Sequence, residues 1–148
     1  MRISSKGRYA LAAVLQIARN SDSGENISLN DIANALGISK LYLEQVFVQL
    51  KKRGIIASVK GAKGGYRFIV PPIKLTAWQV LESVENTLAE PADTTVPIKA
   101  PDIEMALAEK VFVPLDNAIK SMLEGVTIQS MLDYADNQLA EQSFMRNF

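Results

Sequence analysis

The chain has 148 residues, 48% of them hydrophobic, with 16 Lys/Arg balancing 16 Asp/Glu and with neither cysteine nor histidine. That length suits one domain, or a small domain with an appendage, and is enough to bury a core; the missing thiols and imidazoles exclude disulfides, Cys- or His-ligated metal sites, Cys nucleophiles and Ser-His-Asp triads. The balanced total hides a division: residues 1–70 hold 11 Lys/Arg against 4 Asp/Glu, a net of +7, and residues 71–148 hold 5 against 12, a net of −7, so the first half suits a polyanionic partner and the second does not.

No signal peptide is expected, because "MRISSKGRYALAAVLQIAR" is interrupted by cations and lacks a small-residue cleavage site. No run approaches the ~18 apolar residues of a membrane span, and a cytoplasmic location is the expectation. A first helix is predicted from Ser4 or Ser5 to about Asn20, with Leu11, Val14, Leu15 and Ala18 on its buried side. After the breaker "NSDSGEN", Ser28 caps a second helix that buries Leu29, Ile32, Ala33 and Leu36 and stops at Gly37. Ser39 caps a third, with Leu43, Val46, Phe47 and Leu50 in one stripe and with Gly54 ending it. The spacing is that of a helix-turn-helix, although a helical hairpin of an ordinary core would show the same pattern.

"IIASV" and "GYRFIV" then read as two strands joined by "KGAKG". The glycines at 61, 64 and 65 fit neither a Walker loop nor a G-x-G-x-x-G dinucleotide loop. A hairpin directly after a helix-turn-helix makes a winged helix, and its tip, carrying Lys60, Gly61 and Lys63, is suited to a sugar-phosphate edge or a minor groove. The plainer alternative is that the glycines only form the turn and the lysines only keep a sheet edge soluble. Gly65 is expected at positive φ.

Pro71 and Pro72 close the hairpin. Thr76 opens a fourth helix in a "TAWQ" capping box, with Ala77, Val80, Leu81 and Val84 buried and Trp78 read as packing. Residues 86–101 carry three prolines and read as a loop. Residues 102–124 form a long helical pattern, kinked at Pro114, with Ile103, Leu107, Val111, Leu115, Ala118 and Met122 along one side. That apolar surface exceeds what a small domain covers and predicts a partner helix, hence a dimer. A last helix from Thr127 places Ile128, Met131, Leu132, Ala135 and Leu139 on one face, suited to closing over the long helix. The expected fold class is mainly α: a winged helix-turn-helix domain over residues 1–72, a connecting helix and loop over 73–101, and a dimerisation helix with a C-terminal helix over 102–148.

"MRISSKGRYAL", "GISKLYLEQVFVQLKKRGII" and "SVKGAKGGYRF" resemble, in this order, the signature segments of the bacterial winged-helix regulator family that includes IscR, NsrR and CymR. The resemblance is strong over roughly residues 1–85, and it implies a homodimeric transcription factor, usually a repressor, that binds a pseudo-palindromic double-stranded DNA site. It implies that Lys6, Arg8 and Tyr9 lie against phosphates and that Ser39, Lys40, Tyr42, Glu44 and Gln45 face the major groove. Ser28, at the start of the second helix, completes the candidate DNA contacts. Glu44 resembles the family's base-reading carboxylate, suited to a cytosine amino group; the alternative is an exposed helix former paired with a lysine. Lys60 stands where family members often carry a minor-groove arginine, and it is the weaker reader of a narrow groove.

Cluster-binding members place three cysteines in the loop before the long helix, and this chain has none, so an iron-sulfur cluster is excluded on ligand chemistry and no cofactor or metal is expected. The resemblance is closest in type to the cysteine-free CymR-like members, which implies sulfur and cysteine metabolism as the regulated pathway and a protein co-regulator such as cysteine synthase. The signal would enter through such a partner on the acidic half, the favoured route, or through a small molecule between the winged domain and the long helix. The alternative from another class is a winged-helix protein-interaction module without specific DNA binding; paired catalytic carboxylates do not stand out, and no enzyme activity is expected.

Overall fold

The structure is a computed structural model and describes residues 3–21 and 23–147, so Met1 and Arg2 of the opening motif lie outside the described residues. Three helices come first, α1 (Ser5–Ser21), α2 (Leu29–Leu36) and α3 (Lys40–Lys52), then the strands β1 (Ile56–Val59) and β2 (Gly65–Phe68), then α4 (Ala77–Val84). The caps form as the sequence predicts. Ser28 Oγ accepts from Asp31 N at 3.1 Å and Ser39 Oγ from Tyr42 N at 3.3 Å, while Thr76 and Gln79 satisfy each other's backbone in a full capping box; such caps contribute about 1 kcal/mol each. Gly37 ends α2 in the left-handed region.

The core lies between α1, the helix-turn-helix and α4. Leu43, Val46, Phe47 and Leu50 of α3 are all buried, against Ile32 and Ala33 of α2 and Val80, Leu81 and Val84 of α4. The buried face of α1 is rotated from the expected one: Ala10, Ala13, Val14, Ile17 and Ala18 are inside, whereas Leu11 and Leu15 are only partly covered at its margin. Small residues are buried there because α1 is crossed by α2, α3, α4 and β2 together, and alanines let neighbouring backbones approach.

The hairpin pairs Ile56 with Phe68, Ala57 with Arg67, Ser58 with Tyr66 and Val59 with Gly65. A further bridge from Ile27 to Tyr66 ties the segment before α2 to the wing. Gly65 has φ 144°, and a side chain there would strike the Ile27 carbonyl; the expected positive φ is thus required by this second bridge as well as by the turn.

No helix or strand occupies residues 86–100. The long helical pattern begins as α5 (Pro101–Leu107), passes through a π-helical turn (Ala108–Phe112) and continues as α6 (Val113–Glu124). In place of the kink expected at Pro114 there is this π-helical turn: proline has no N–H for the Lys110 carbonyl and its ring crowds that oxygen, and a widened turn relieves the conflict, with Val113 N bonded to Ala108 O. Phe112, Ile119 and Leu123 are half-buried on the side toward α4, whereas Ile103, Val111, Leu115 and Met122 are open, Met122 at 63% exposure.

The last helix, α7 (Ile128–Arg146), does not close over the long helix as expected; it packs on α1. Its start is fastened to the start of α4 by Ile128 N to Leu75 O and Ala77 N to Val126 O, each 2.8 Å, and farther along Asp136 pairs with Arg19 of α1 at 3.5 Å. Ile128 and Leu132 enter the common core, while Leu139 stands exposed. Among the described residues no helix is long and apolar enough to cross a membrane.

Candidate nucleic-acid interface

The predicted contact residues come from three places in the chain, and the fold connects them. Tyr9 on α1 and Tyr42 at the start of α3 meet edge to face, with ring centroids 5.1 Å apart, a contact of about 0.5–1.5 kcal/mol beyond burial. It sets the "SKGRY" segment beside the first turn of α3. Arg8 is exposed and donates to Ser5 Oγ at 2.9 Å. Ser4 directs both its N–H and its hydroxyl to Glu85 Oε1, at 2.8 and 2.6 Å, so the start of α1 is anchored on the end of α4.

On α3, burial of Leu43, Val46, Phe47 and Leu50 leaves Lys40, Glu44 and Gln45 on the open face, with Tyr42 half-buried at its edge. Ser28 and Ser39 use their hydroxyl oxygens as caps, which leaves each O–H proton available to an acceptor such as a phosphate oxygen. Glu44 borders the wing: the Tyr66 phenol is raised above its ordinary pKa first by burial and then by the Glu44 carboxylate. Tyr66 in turn lies edge-on to Phe47, centroids 4.6 Å apart. The wing tip is held by Asn26 Nδ2 donating to Lys63 O at 3.1 Å, and Lys60, Gly61 and Lys63 are exposed. Gly61 meets nothing within 4 Å, whereas Gly64 is needed by the hairpin itself, since a side chain there would strike the Val59 carbonyl.

Among the described residues Lys6, Arg8, Lys40, Lys60 and Lys63 form no ion pair, and Glu44 is not paired with a lysine. Among the described residues no carboxylate pairs with these cations. Two features escaped the sequence reading. Leu41 and Val48 project from the open face of α3 at 68% and 60% exposure, and their i, i+7 spacing off the buried stripe was the available signal. The Asn26 and Ile27 contacts to the wing had none, since they depend on the tertiary path of the chain.

A helix-turn-helix and a β-wing bearing unpaired cations define a winged-helix DNA-binding domain of a transcriptional regulator. Residues 3–134 match the Rrf2 family, described as iron-dependent transcriptional regulators, and the chain belongs to that family. It is 33% identical over 150 residues to the HTH-type transcriptional regulator IscR of Aliivibrio salmonicida, covering 99% of this chain and 85% of that protein. It is 28% identical over 138 residues to the regulator CymR of Bacillus subtilis, covering 93% and 94%. The solved structure of CymR, the global cysteine regulator of B. subtilis, superposes with a TM-score of 0.74 at 27% identity, over 90% of this chain and 98% of that one.

The iron in the family description finds no fitting donors here. The chain has no cysteine or histidine, and among the described residues no group of His, Cys, Asp or Glu converges so as to hold a metal ion. The loop before the long helix is fastened instead by a carboxylate: Glu104 accepts from Thr95 N at 3.1 and 3.0 Å and from Val96 N at 2.6 Å.

Proposed function

We propose that this regulator is a homodimeric, cluster-free repressor that reads a pseudo-palindromic DNA site, with α3 in the major groove and the wing against a flanking minor groove. The carrying observation is the continuous path from Tyr9 through Tyr42 and α3 to Tyr66 and the wing, along which Lys6, Lys40, Lys60 and Lys63 have no ion-pair partner among the described residues. In this reading Lys6, Arg8, Tyr9, Ser28 and Ser39 contact phosphates, and Lys40, Tyr42, Glu44 and Gln45 face base edges. Leu41 and Val48 supply the apolar contacts that thymine methyls accept. Lys60 and Lys63, with the bare backbone at Gly61, track the minor groove. The exposed apolar side of α5 and α6 supplies the second-copy contact that a two-half-site reader needs.

Selection of bound fragments from random duplex DNA, repeated across salt concentrations, tests the reading. Enrichment of a two-fold symmetric motif supports it; binding without sequence preference, or none at low salt, favours the interaction-module alternative. The likeness to CymR along almost its whole length favours a second, narrower reading, control of cysteine metabolism with a protein co-regulator such as cysteine synthase. Mapping the bound sites on the source genome tests the pathway, and titrating purified cysteine synthase into the DNA-binding assay tests the co-regulator.

A further inference from the structure

A cleft of about 230 Å³ lies between α4, the loop that follows it and α6. Its walls carry Trp78, Glu82, Leu88, Glu90, Asp116 and Lys120. Trp78 is 92% buried by its 8% exposure, yet its indole N–H meets no acceptor among the described residues and is not sealed from solvent. An N–H that reaches solvent is free to donate to water or to a ligand that displaces it. The Lys120 ammonium sits 5.6 Å from the centre of the same ring, and its other neighbour is Glu124 at 3.9 Å. The aromatic face is thus already occupied by a cation on a mobile, half-exposed stem.

We propose that this cleft binds a small zwitterion of the α-amino-acid class. Three carboxylates on its walls, at 82, 90 and 116, call for an ammonium. The solvent-open indole N–H and the Lys120 ammonium, whose pair with Glu124 is a 3.9 Å contact between exposed side chains, are free to donate to a carboxylate, and Leu88 accommodates a short side chain. A simple amine would leave the two donors unmet, and a simple carboxylic acid would face three like charges. The volume falls below the ~300–1,000 Å³ of drug-sized sites and so limits the ligand to a small molecule.

The site is placed to reach the DNA-contacting end. A second depression of about 300 Å³ shares Leu88, Glu90 and Asp116 with it and extends to Ile3 and Glu85, and Glu85 is the residue that anchors Ser4. The other end of the loop is fastened to the long helix through Glu104. A ligand here therefore touches a segment that bridges the start of α1 and the start of the long helix.

Trp78 is the single tryptophan of the chain, so its emission reports the cleft directly and without DNA. The full-length protein is titrated with each proteinogenic amino acid, by fluorescence and by calorimetry. The expected result is saturable binding of at least one of them, with Kd of about 1 mM or tighter. Its N-acetylated and decarboxylated forms, and the variants Asp116→Asn and Lys120→Ala, should each bind roughly tenfold or more weakly. Both substituted residues are exposed, so the fold is retained and circular dichroism checks it. The proposal is overturned if no amino acid produces a saturable signal at millimolar concentration, or if the decarboxylated amine binds as well as its parent. A Trp78 response to the macromolecular fraction of cell extract alone also overturns it, in favour of a protein partner.

Discussion

At the scale of single residues, Glu44 and Tyr66 carry the most testable chemistry. Glu44 is exposed on α3 and unpaired, yet its charge is felt by Tyr66 on the wing. If it accepts from a cytosine amino group, Glu44→Ala should lose about 1–3 kcal/mol of discrimination at one base pair per half-site while keeping non-specific affinity; an unchanged preference in a binding-site selection would remove this role. The Tyr66 phenol is raised by burial and then by Glu44. A raised phenol keeps its stabilising neutral form below the ordinary tyrosine range and loses that contribution as pH rises through the elevated value. Among the 4 tyrosines, an ultraviolet titration should therefore show one ionising late. Tyr66→Phe should abolish that late step and Glu44→Gln should lower it. A late step that survives Tyr66→Phe would belong to another tyrosine.

At the scale of elements, the wing offers a test that separates its two readings. Replacing Lys60 and Lys63 with alanine removes two exposed cations and no core contact, so DNA affinity should fall across all sequences and the salt slope should shrink by roughly one to two units. An affinity that does not move would make the hairpin only a turn. Helices were legible where local chemistry decides them: Ser28, Ser39 and Thr76 mark their starts, and the apolar stripe of α3 is buried residue for residue. Legibility failed where tertiary neighbours decide. On α1 the alanines go inside because several elements cross it, so larger Leu11 and Leu15 stay at the margin. The periodicity of α7 named an apolar face but not its target, α1, which lies at the opposite end of the sequence. Pro114 announced a break in the regular hydrogen bonding, expected as a kink, and it is taken up as a π-turn between Ala108 and Phe112.

At the scale of the whole molecule, the proposed reading makes the +7 half the DNA-contacting end and the −7 half a body that like charge keeps away from the duplex. Chelators and nitric oxide should leave DNA affinity unchanged in a gel-shift assay, because the chain has no thiolate or imidazole for either to act on; a response would mean that carboxylates alone hold iron. The proposed dimer rests on the long helix. Leu115 and Met122 are 52% and 63% exposed, and no side chain of α5 or α6 is buried within the described chain, so a single copy leaves this apolar side in water, where a matching helix of a second copy would cover it. A double substitution, Leu115→Glu with Met122→Glu, puts like charges into that contact without opening the core. Light scattering should then report the monomer mass, with helical circular dichroism unchanged. Two tethered half-site contacts exceed one by about 10²–10⁴ in affinity, so binding to a two-half-site operator should weaken by that order, while binding to an isolated half-site should hardly change. A double variant that stays dimeric would place the interface elsewhere, and one that becomes monomeric but still binds the full operator tightly would show that the two half-sites are read independently.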